Sequence, residues 1–325
     1  MTSAPTPNAP APEVPASRVI ALMNQKGGVG KTTTAVNLAA AVALQGRRVL
    51  LIDLDPQAHS TLHLGIEVPD GRATAYEILT DPRADLETAL VRSRENLAVL
   101  PAHTDLASAE LDLASVPAPA RFTRLRDAID RHAAAHGPFD FVFIDCPPSL
   151  GVLTLGGLAA AREVFVPMQA HFLALQGLGK LMETVAEVVK AVNPRLRVTG
   201  VIICQHDSTT THSREVVADL DAFFEQSRGG DRPWRAARVY RPAVRRNIKM
   251  AECPSFGQTV FEYAPGCPGA ADYRALAETI VREWDEFRDA RRRASAAADA
   301  PPVPPAAPAP VVIPAASSTP AASAR

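Results

Sequence analysis

Lys26-Gly-Gly-Val-Gly-Lys-Thr-Thr33, set between the apolar run Val19–Met23 and the alanine-rich stretch Thr33–Leu44, decides the reading of this 325-residue chain. Apolar run, glycine loop and helical pattern, in that order, describe a strand feeding a phosphate-binding loop and then a helix. The glycines let successive backbone N–H groups turn inward around a polyphosphate. The helix N-terminus adds its partial positive charge at the same point. In such a loop Lys31 neutralises the β and γ oxygens and the Thr32 hydroxyl binds Mg²⁺. The plain form of the loop places a glycine five residues before Gly30; here that position is Gln25, and a further lysine, Lys26, stands at the loop entrance.

Outward from the loop, strands are predicted at 19–23, 48–53, 97–100, 139–144, 163–167, 197–203 and 236–240. Helices are predicted at 31–45, 74–80, 84–92, 104–112, 121–135, 153–161, 174–192, 212–227 and 270–292. Val49-Leu-Leu-Ile52 and Phe141-Val-Phe-Ile144 are unbroken apolar runs, the pattern of strands covered on both faces. The expected fold is therefore α/β: a mostly parallel twisted sheet with helices on both faces, of the P-loop NTPase type. Glycines and acids follow the strands' carboxyl ends, where open α/β sheets bind ligands.

With 47% hydrophobic residues the chain can bury a large core, and a net charge of −1 supplies no global field that would draw it to nucleic acid or membrane. Such binding needs a local patch. Cys146, Cys204, Cys253 and Cys267 form no C-x-x-C pair and no metal spacing, which fits a reducing cytosol. At the strand ends, Cys146 and Cys204 read as small buried thiols. No run of 18 apolar residues is present, so no transmembrane helix is expected. Residues 1–17 contain five prolines and residues 294–325 contain eight, a density that favours extended chain over a packed core. The expected organisation is a Pro/Ala-rich tail at 1–17, one folded domain at 18–293 and a second tail at 294–325. The tails serve either solubility or docking.

Asp53 and Asp55 follow Leu50-Leu-Ile52, and strand alternation points them to one side with Leu54 opposed. Asp145 ends an apolar strand, where an unpartnered charge is expensive; a Mg²⁺-bound water is a natural partner. Pro147-Pro148 then makes a stiff turn suited to sensing a γ-phosphate.

Four collinear segments resemble the ParA/MinD group of dimerising ATPases, whose loop carries the early lysine found here as Lys26. They are the glycine loop, Arg48–Gln57, Phe139–Gly151 and Arg246-Asn-Ile-Lys-Met-Ala-Glu-Cys-Pro-Ser-Phe-Gly257. The likeness spans roughly residues 18–290. It implies ATP and Mg²⁺ as ligands and ATP hydrolysis as the activity, with Lys26, Lys31 and Asp55 catalytic. Lys26 would reach the partner subunit's phosphates across an ATP-bound homodimer, and Asp55 would position or deprotonate the attacking water. Lys26, Gly27, Gly28, Val29, Gly30, Lys31, Thr32 and Thr33 would hold the nucleotide, with Pro254 and Ser255 against the purine. Thr32, Asp53 and Asp145 would hold the metal, directly or through water. Asn37 matches an asparagine common in the family, or is a polar surface position. The absence of cluster-ligating cysteines counts against the iron–sulfur reductase relatives.

Eight cations stand between Arg228 and Lys249, with Asp231 as their one acid and Trp234 and Tyr240 interleaved. They read as a solvated face or as a surface for nonspecific DNA; for DNA the candidates are Arg235, Arg238, Arg241, Arg245, Arg246 and Lys249. The family's usual D-x-R-T after the strand at 197–203 is here Asp207-Ser-Thr209-Thr, without its arginine, and His171 and Gln176 replace common glutamates. The implied function is a cytoplasmic, nucleoid-associated ATPase that segregates or positions DNA or a protein cargo, stimulated by a ParB-like partner, with no membrane expected. The alternatives are a MinD-like membrane-cycling regulator, disfavoured by the proline-broken C-terminal tail, and a nucleotide-gated scaffold that works through its tails.

Overall fold

The computed structural model describes residues 15–171, 174–207 and 210–298. Its strands are β1 (Arg18–Leu22), β2 (Val49–Asp53), β3 (Val91–Arg94), β4 (Leu97–Leu100), β5 (Phe141–Asp145), β6 (Glu163–Met168), β7 (Arg197–Ile203) and β8 (Arg238–Tyr240). They form one sheet in the order β3-β4-β2-β5-β1-β6-β7-β8. Every pairing is parallel except β3 with β4 at one edge. The helices are α1 (Lys31–Ala43), α2 (His59–His63), α3 (Ala75–Thr80), α4 (Leu86–Ala89), α5 (Ala109–Ala114), α6 (Ala120–His136), α7 (Val152–Ala160), α8 (Ala174–Ala191), α9 (Thr211–Ser227), α10 (Lys249–Glu252), α11 (Val260–Tyr263) and α12 (Pro268–Ala298).

Strand alternation sorts the core into two layers. Ile20, Leu22, Leu51 and Phe143 pack with α1 and α12, where Leu38, Leu276 and Ile280 are wholly buried. Val19, Leu50, Ile52, Val142 and Ile144 pack on the other face against residues of α3, α6, α7, α8 and α9. With helices on both faces, β1, β2 and β5 have no solvent side, and this is why they read as unbroken apolar runs.

The structure departs from the sequence reading at three places. The predicted helix at 84–92 is only α4, and Val91–Arg94 turns back as the antiparallel edge strand β3. Asn96 sits at φ 58° in the turn, and the half-exposed edge strand needs no apolar alternation. The short helices α2, α10 and α11 span four or five residues, too few to show a helical period. Finally, α12 runs to Ala298, past the predicted boundary at 293, because 294–298 is Ala-Ser-Ala-Ala-Ala and the prolines begin only at 301. Residues 1–14 and 299–325, and with them most of both predicted tails, lie outside the described residues.

Cross-strand register sets up the site. Leu22 pairs with Asp145 and Asp145 with Asp53, so the carboxyl ends of β1, β5 and β2 finish at one level, beneath the glycine loop.

Candidate phosphate-binding site

The glycine loop leaves β1 and enters α1 through two left-handed positions, Gly28 at φ 71° and Gly30 at φ 95°. Gly30 is constrained twice: a side chain there would be strained, and its Cβ would stand 3.2 Å from the Cβ of Cys204. The Gly28 carbonyl accepts from Gln169 Nε2 at 3.1 Å and from Gln205 Nε2 at 3.2 Å, which holds the loop open. At the start of α1, Thr34 Oγ1 meets the Tyr273 hydroxyl at 2.9 Å and ties the loop to α12.

Gly27, Gly28, Gly30, Lys31, Thr32 and Thr33 line one open cleft together with Asp55 and the Pro147-Pro148-Ser149 turn. Val29 is buried beneath it. Lys26 is not in the lining of that cleft. Its exposed ammonium lies 2.7 Å from His171 Nε2 instead.

The three carboxylates differ in what surrounds them. Asp53 is fully buried, and both its oxygens are engaged: Oδ1 accepts the Asp55 N–H at 3.2 Å, and Oδ2 accepts the Thr61 N–H at 2.9 Å and hydroxyl at 2.8 Å. It thereby pins the turn from Leu54 to Thr61. Asp145 accepts the Ser60 hydroxyl on Oδ2 at 2.8 Å, but its Oδ1 is buried with no partner among the described residues. Burial raises the pKa of both groups. For Asp53 the neighbouring Asp145 adds to the rise and the Thr61 bonds oppose it; for Asp145, Ser60, Thr32 and Lys31 oppose it. Two adjacent buried carboxylates with one orphaned oxygen form a site short of positive charge. Thr32 and Asp145 therefore fit a hard divalent cation, while Asp53 offers no free oxygen. Among the described residues no group of three or more His, Cys, Asp or Glu could hold a metal unaided, so the remaining ligands would be water and phosphate. Asp55 is half-buried on the cleft wall, where its Oδ1 accepts the Gln57 N–H at 3.0 Å.

A second cleft adjoins the first and shares Gly30, Thr33 and Gln205 with it; its far wall runs from Val244 to Ala251. Pro254 and Ser255 are not in its lining. They occupy the 3₁₀ turn Cys253–Phe256. Asn37 is wholly buried, which removes the surface reading: its Nδ2 donates to the Thr33 carbonyl at 2.9 Å and its Oδ1 accepts the Val260 N–H at 2.8 Å. It thus joins α1 to the segment behind the second cleft.

The basic segment is less charged than its sequence suggests, because acids from other elements fold onto it. Arg245 makes a two-pronged pair with Asp272, with Nη2–Oδ1 at 2.7 Å and Nε–Oδ2 at 3.0 Å. Arg241 pairs with Asp221 at 2.5 Å, Lys249 with Glu252 at 2.8 Å, Arg235 with Asp231 at 3.8 Å, and Arg238 with Glu283. Arg246 is exposed, and its guanidinium has no ion pair among the described residues. Asp272 and Glu283 lie eleven residues apart on α12, which separates Arg245 from Arg238 by roughly 16 Å along the helix. Thr209 lies outside the described residues.

Ser60, Thr61, Gln169 and Gln205 escaped the sequence reading. They are isolated polar residues without motif or period, and folding alone brings them beneath the loop.

A protein-family model described as an AAA domain matches residues 17–198. The chain is 43% identical to the chromosome partitioning protein ParA of Caulobacter vibrioides over 269 residues, covering 82% of this chain and 96% of that protein. It is 42% identical to the chromosome-partitioning ATPase Soj of Thermus thermophilus, covering 83% and 97%. Among solved structures, it superimposes with a TM-score of 0.67 on a Mycobacterium smegmatis protein described as cobyrinic acid a,c-diamide synthase with bound ATP analog and magnesium, at 40% identity over 83% of this chain and 96% of that one.

Proposed function

The chain belongs to the ParA/Soj family of chromosome-partitioning ATPases, and on that footing we propose that its ATP-bound protomers pair, bind nonspecific DNA and segregate or position a DNA or protein cargo. It is an ATPase that uses ATP and Mg²⁺. The observation that carries the site assignment is the orphaned Asp145 Oδ1, buried beside Thr32 and Lys31 under a glycine loop.

In this reading the backbone N–H groups of Gly27–Thr32 and the Lys31 ammonium cradle the β- and γ-phosphates. Thr32 and Asp145 would hold Mg²⁺, which supplies charge to offset the buried carboxylates and the phosphate oxygens. Asp53 fixes the turn that presents Asp55, and Asp55 orients the attacking water and takes up its proton. The new oxygen–phosphorus bond forms as the β–γ bridge breaks, releasing ADP and inorganic phosphate. The second cleft takes the nucleoside. Because its wall also carries Arg246, which has no ion pair among the described residues, the occupied cleft and a DNA-facing cation belong to one segment. Lys26 acts on phosphate only after leaving His171, across the dimer interface. A ParB-like protein stimulates turnover and releases the dimer. Residues 18–298 form the ATPase unit, and no described helix is long and apolar enough to cross a membrane.

The test is binding of the full chain to random-sequence DNA over a range of salt, with ATP, with ADP, and with Asp55→Ala to trap ATP. Binding that requires ATP and falls steeply with salt is expected. No binding in any nucleotide state, with ATPase activity intact, would sink the DNA reading and direct attention to a protein scaffold.

A further inference from the structure

We propose that His171 is a positioning residue for Lys26: as a neutral imidazole it holds the ammonium away from the phosphate cleft, and on protonation it lets go. The proposal rests on the reading above, in which Lys26 acts on phosphate. Lys26 Nζ lies 2.7 Å from His171 Nε2. An ammonium has donors and no acceptor, so Nε2 must carry the lone pair and Nδ1 the proton. The contact therefore exists only while His171 is neutral.

The surroundings make this contact the variable one of three. The end of β6 and the segment after it grip the first half of the glycine loop through Asn24 Nδ2 to the Pro167 carbonyl at 2.8 Å, Gln169 Nε2 to the Gly28 carbonyl at 3.1 Å, and Lys26 to His171. The first two involve neutral amides and ignore pH. The third joins a lysine ammonium to the one side-chain type whose ordinary pKa falls between about pH 5 and 8.

Lys26 and His171 share a small cavity, separate from the phosphate cleft. The glycine loop contributes Asn24 and Val29 to it, β6 and its following loop contribute Val166, Met168 and Gln169, and α8 contributes Gly177, Leu178 and Leu181. Among the described residues that line it, Lys26 and His171 are the ionisable ones and none is a carboxylate that would compensate a second positive charge. Protonating His171 removes the acceptor and sets two like charges in contact.

A lysine held this way is unavailable to phosphate, and the apparent affinity of any step that uses it falls by the available fraction. Pairing driven by a nonhydrolysable ATP analogue should strengthen as pH drops from about 8 to about 6. The change should be roughly two- to tenfold in half-maximal concentration, the equivalent of one ordinary hydrogen bond at an exposed position.

The experiment measures that concentration by sedimentation for the full-length wild type, His171→Gln, His171→Ala and Lys26→Ala. Wild-type values are divided by His171→Gln values at each pH, so that titration of the analogue cancels. Glutamine keeps a pH-independent acceptor and should give a flat profile once that correction is made. Alanine frees Lys26 at every pH and should pair at about pH 8 as tightly as the wild type does in acid. Matching pH profiles for wild type and His171→Gln, with Lys26→Ala still impairing pairing, would overturn the parking role and leave the proposed function standing. Unimpaired pairing in Lys26→Ala would remove the premise, and the parking role with it.

Discussion

Arg245 and Arg246 are neighbours of equal charge, yet the fold gives them different work, and single substitutions should separate them. Arg246 is exposed and has no ion pair among the described residues, so Arg246→Ala should leave stability within about 0.5 kcal/mol of the wild type. If Arg246 contacts a DNA phosphate, its loss removes about 0.9 from the slope of log K against log salt for each protomer, or roughly 1.8 for a dimer. Arg245 is the partner of Asp272, whose side chain is only 5% exposed. Arg245→Ala strips the guanidinium from Asp272 and leaves it the backbone N–H of residue 245 at 3.0 Å. An under-satisfied buried carboxylate costs about 1–3 kcal/mol. The lower half of that range applies, because the Arg245 side chain is 49% exposed and water can take its place. Arg245→Ala/Asp272→Asn removes the buried charge as well and should recover most of the loss, giving a coupling term in the double-mutant cycle. Urea denaturation reads the stability, and fluorescence anisotropy of ATP-bound protein on labelled random DNA reads the salt slope. Equal stability for the two single variants would refute the assignment of Arg245 to the fold, and an unchanged slope in Arg246→Ala would refute Arg246 as a phosphate contact.

Two further outcomes are expected. Asn37→Ala leaves the buried Val260 N–H without its acceptor and opens a small cavity, a combined cost of roughly 2–4 kcal/mol by denaturant titration; a loss below about 0.5 kcal/mol would show that the α1–α11 link bears no weight. His63 is buried and its pKa is lowered from 6.5 to about 4, by burial first and then by Arg94. The unfolded chain then takes the proton first, so this contribution is complete above about pH 6.5 and is lost as pH falls toward 4, by about 3 kcal/mol at most. Asp53 and Asp145, with raised pKa values, shift stability the opposite way, so the comparison is with His63→Gln, whose curve should be flatter across that window. Parallel curves would rule out His63 as the source of acid lability.

The parts legible in sequence were those whose signal is local. A strand, a glycine loop and a helix adjoin in the chain, so residues 19–44 alone announce a phosphate site. Strands buried on both faces show as apolar runs, so the parallel sheet and the level of Asp53, Asp55 and Asp145 follow from β2 and β5. What escaped was set by contacts between distant segments. The eight cations of 228–249 look like one bare patch, but Asp221, Asp272 and Glu283 fold onto Arg241, Arg245 and Arg238, and only packing against α9 and α12 reveals which charge is free. Asn37 resembles any polar residue on a helix until Val260, 223 positions on, docks against it. Ser60 and Thr61 carry no motif, yet they donate to Asp145 Oδ2 and Asp53 Oδ2 because α2 closes under the strand ends. Lys26 is visible at once as a second loop lysine, but its partner stands 145 residues away. Periodicity and motif are written in neighbouring residues, whereas the pairing of charges and buried polar groups belongs to whichever side chains the sheet and its helix layers bring within about 3 Å.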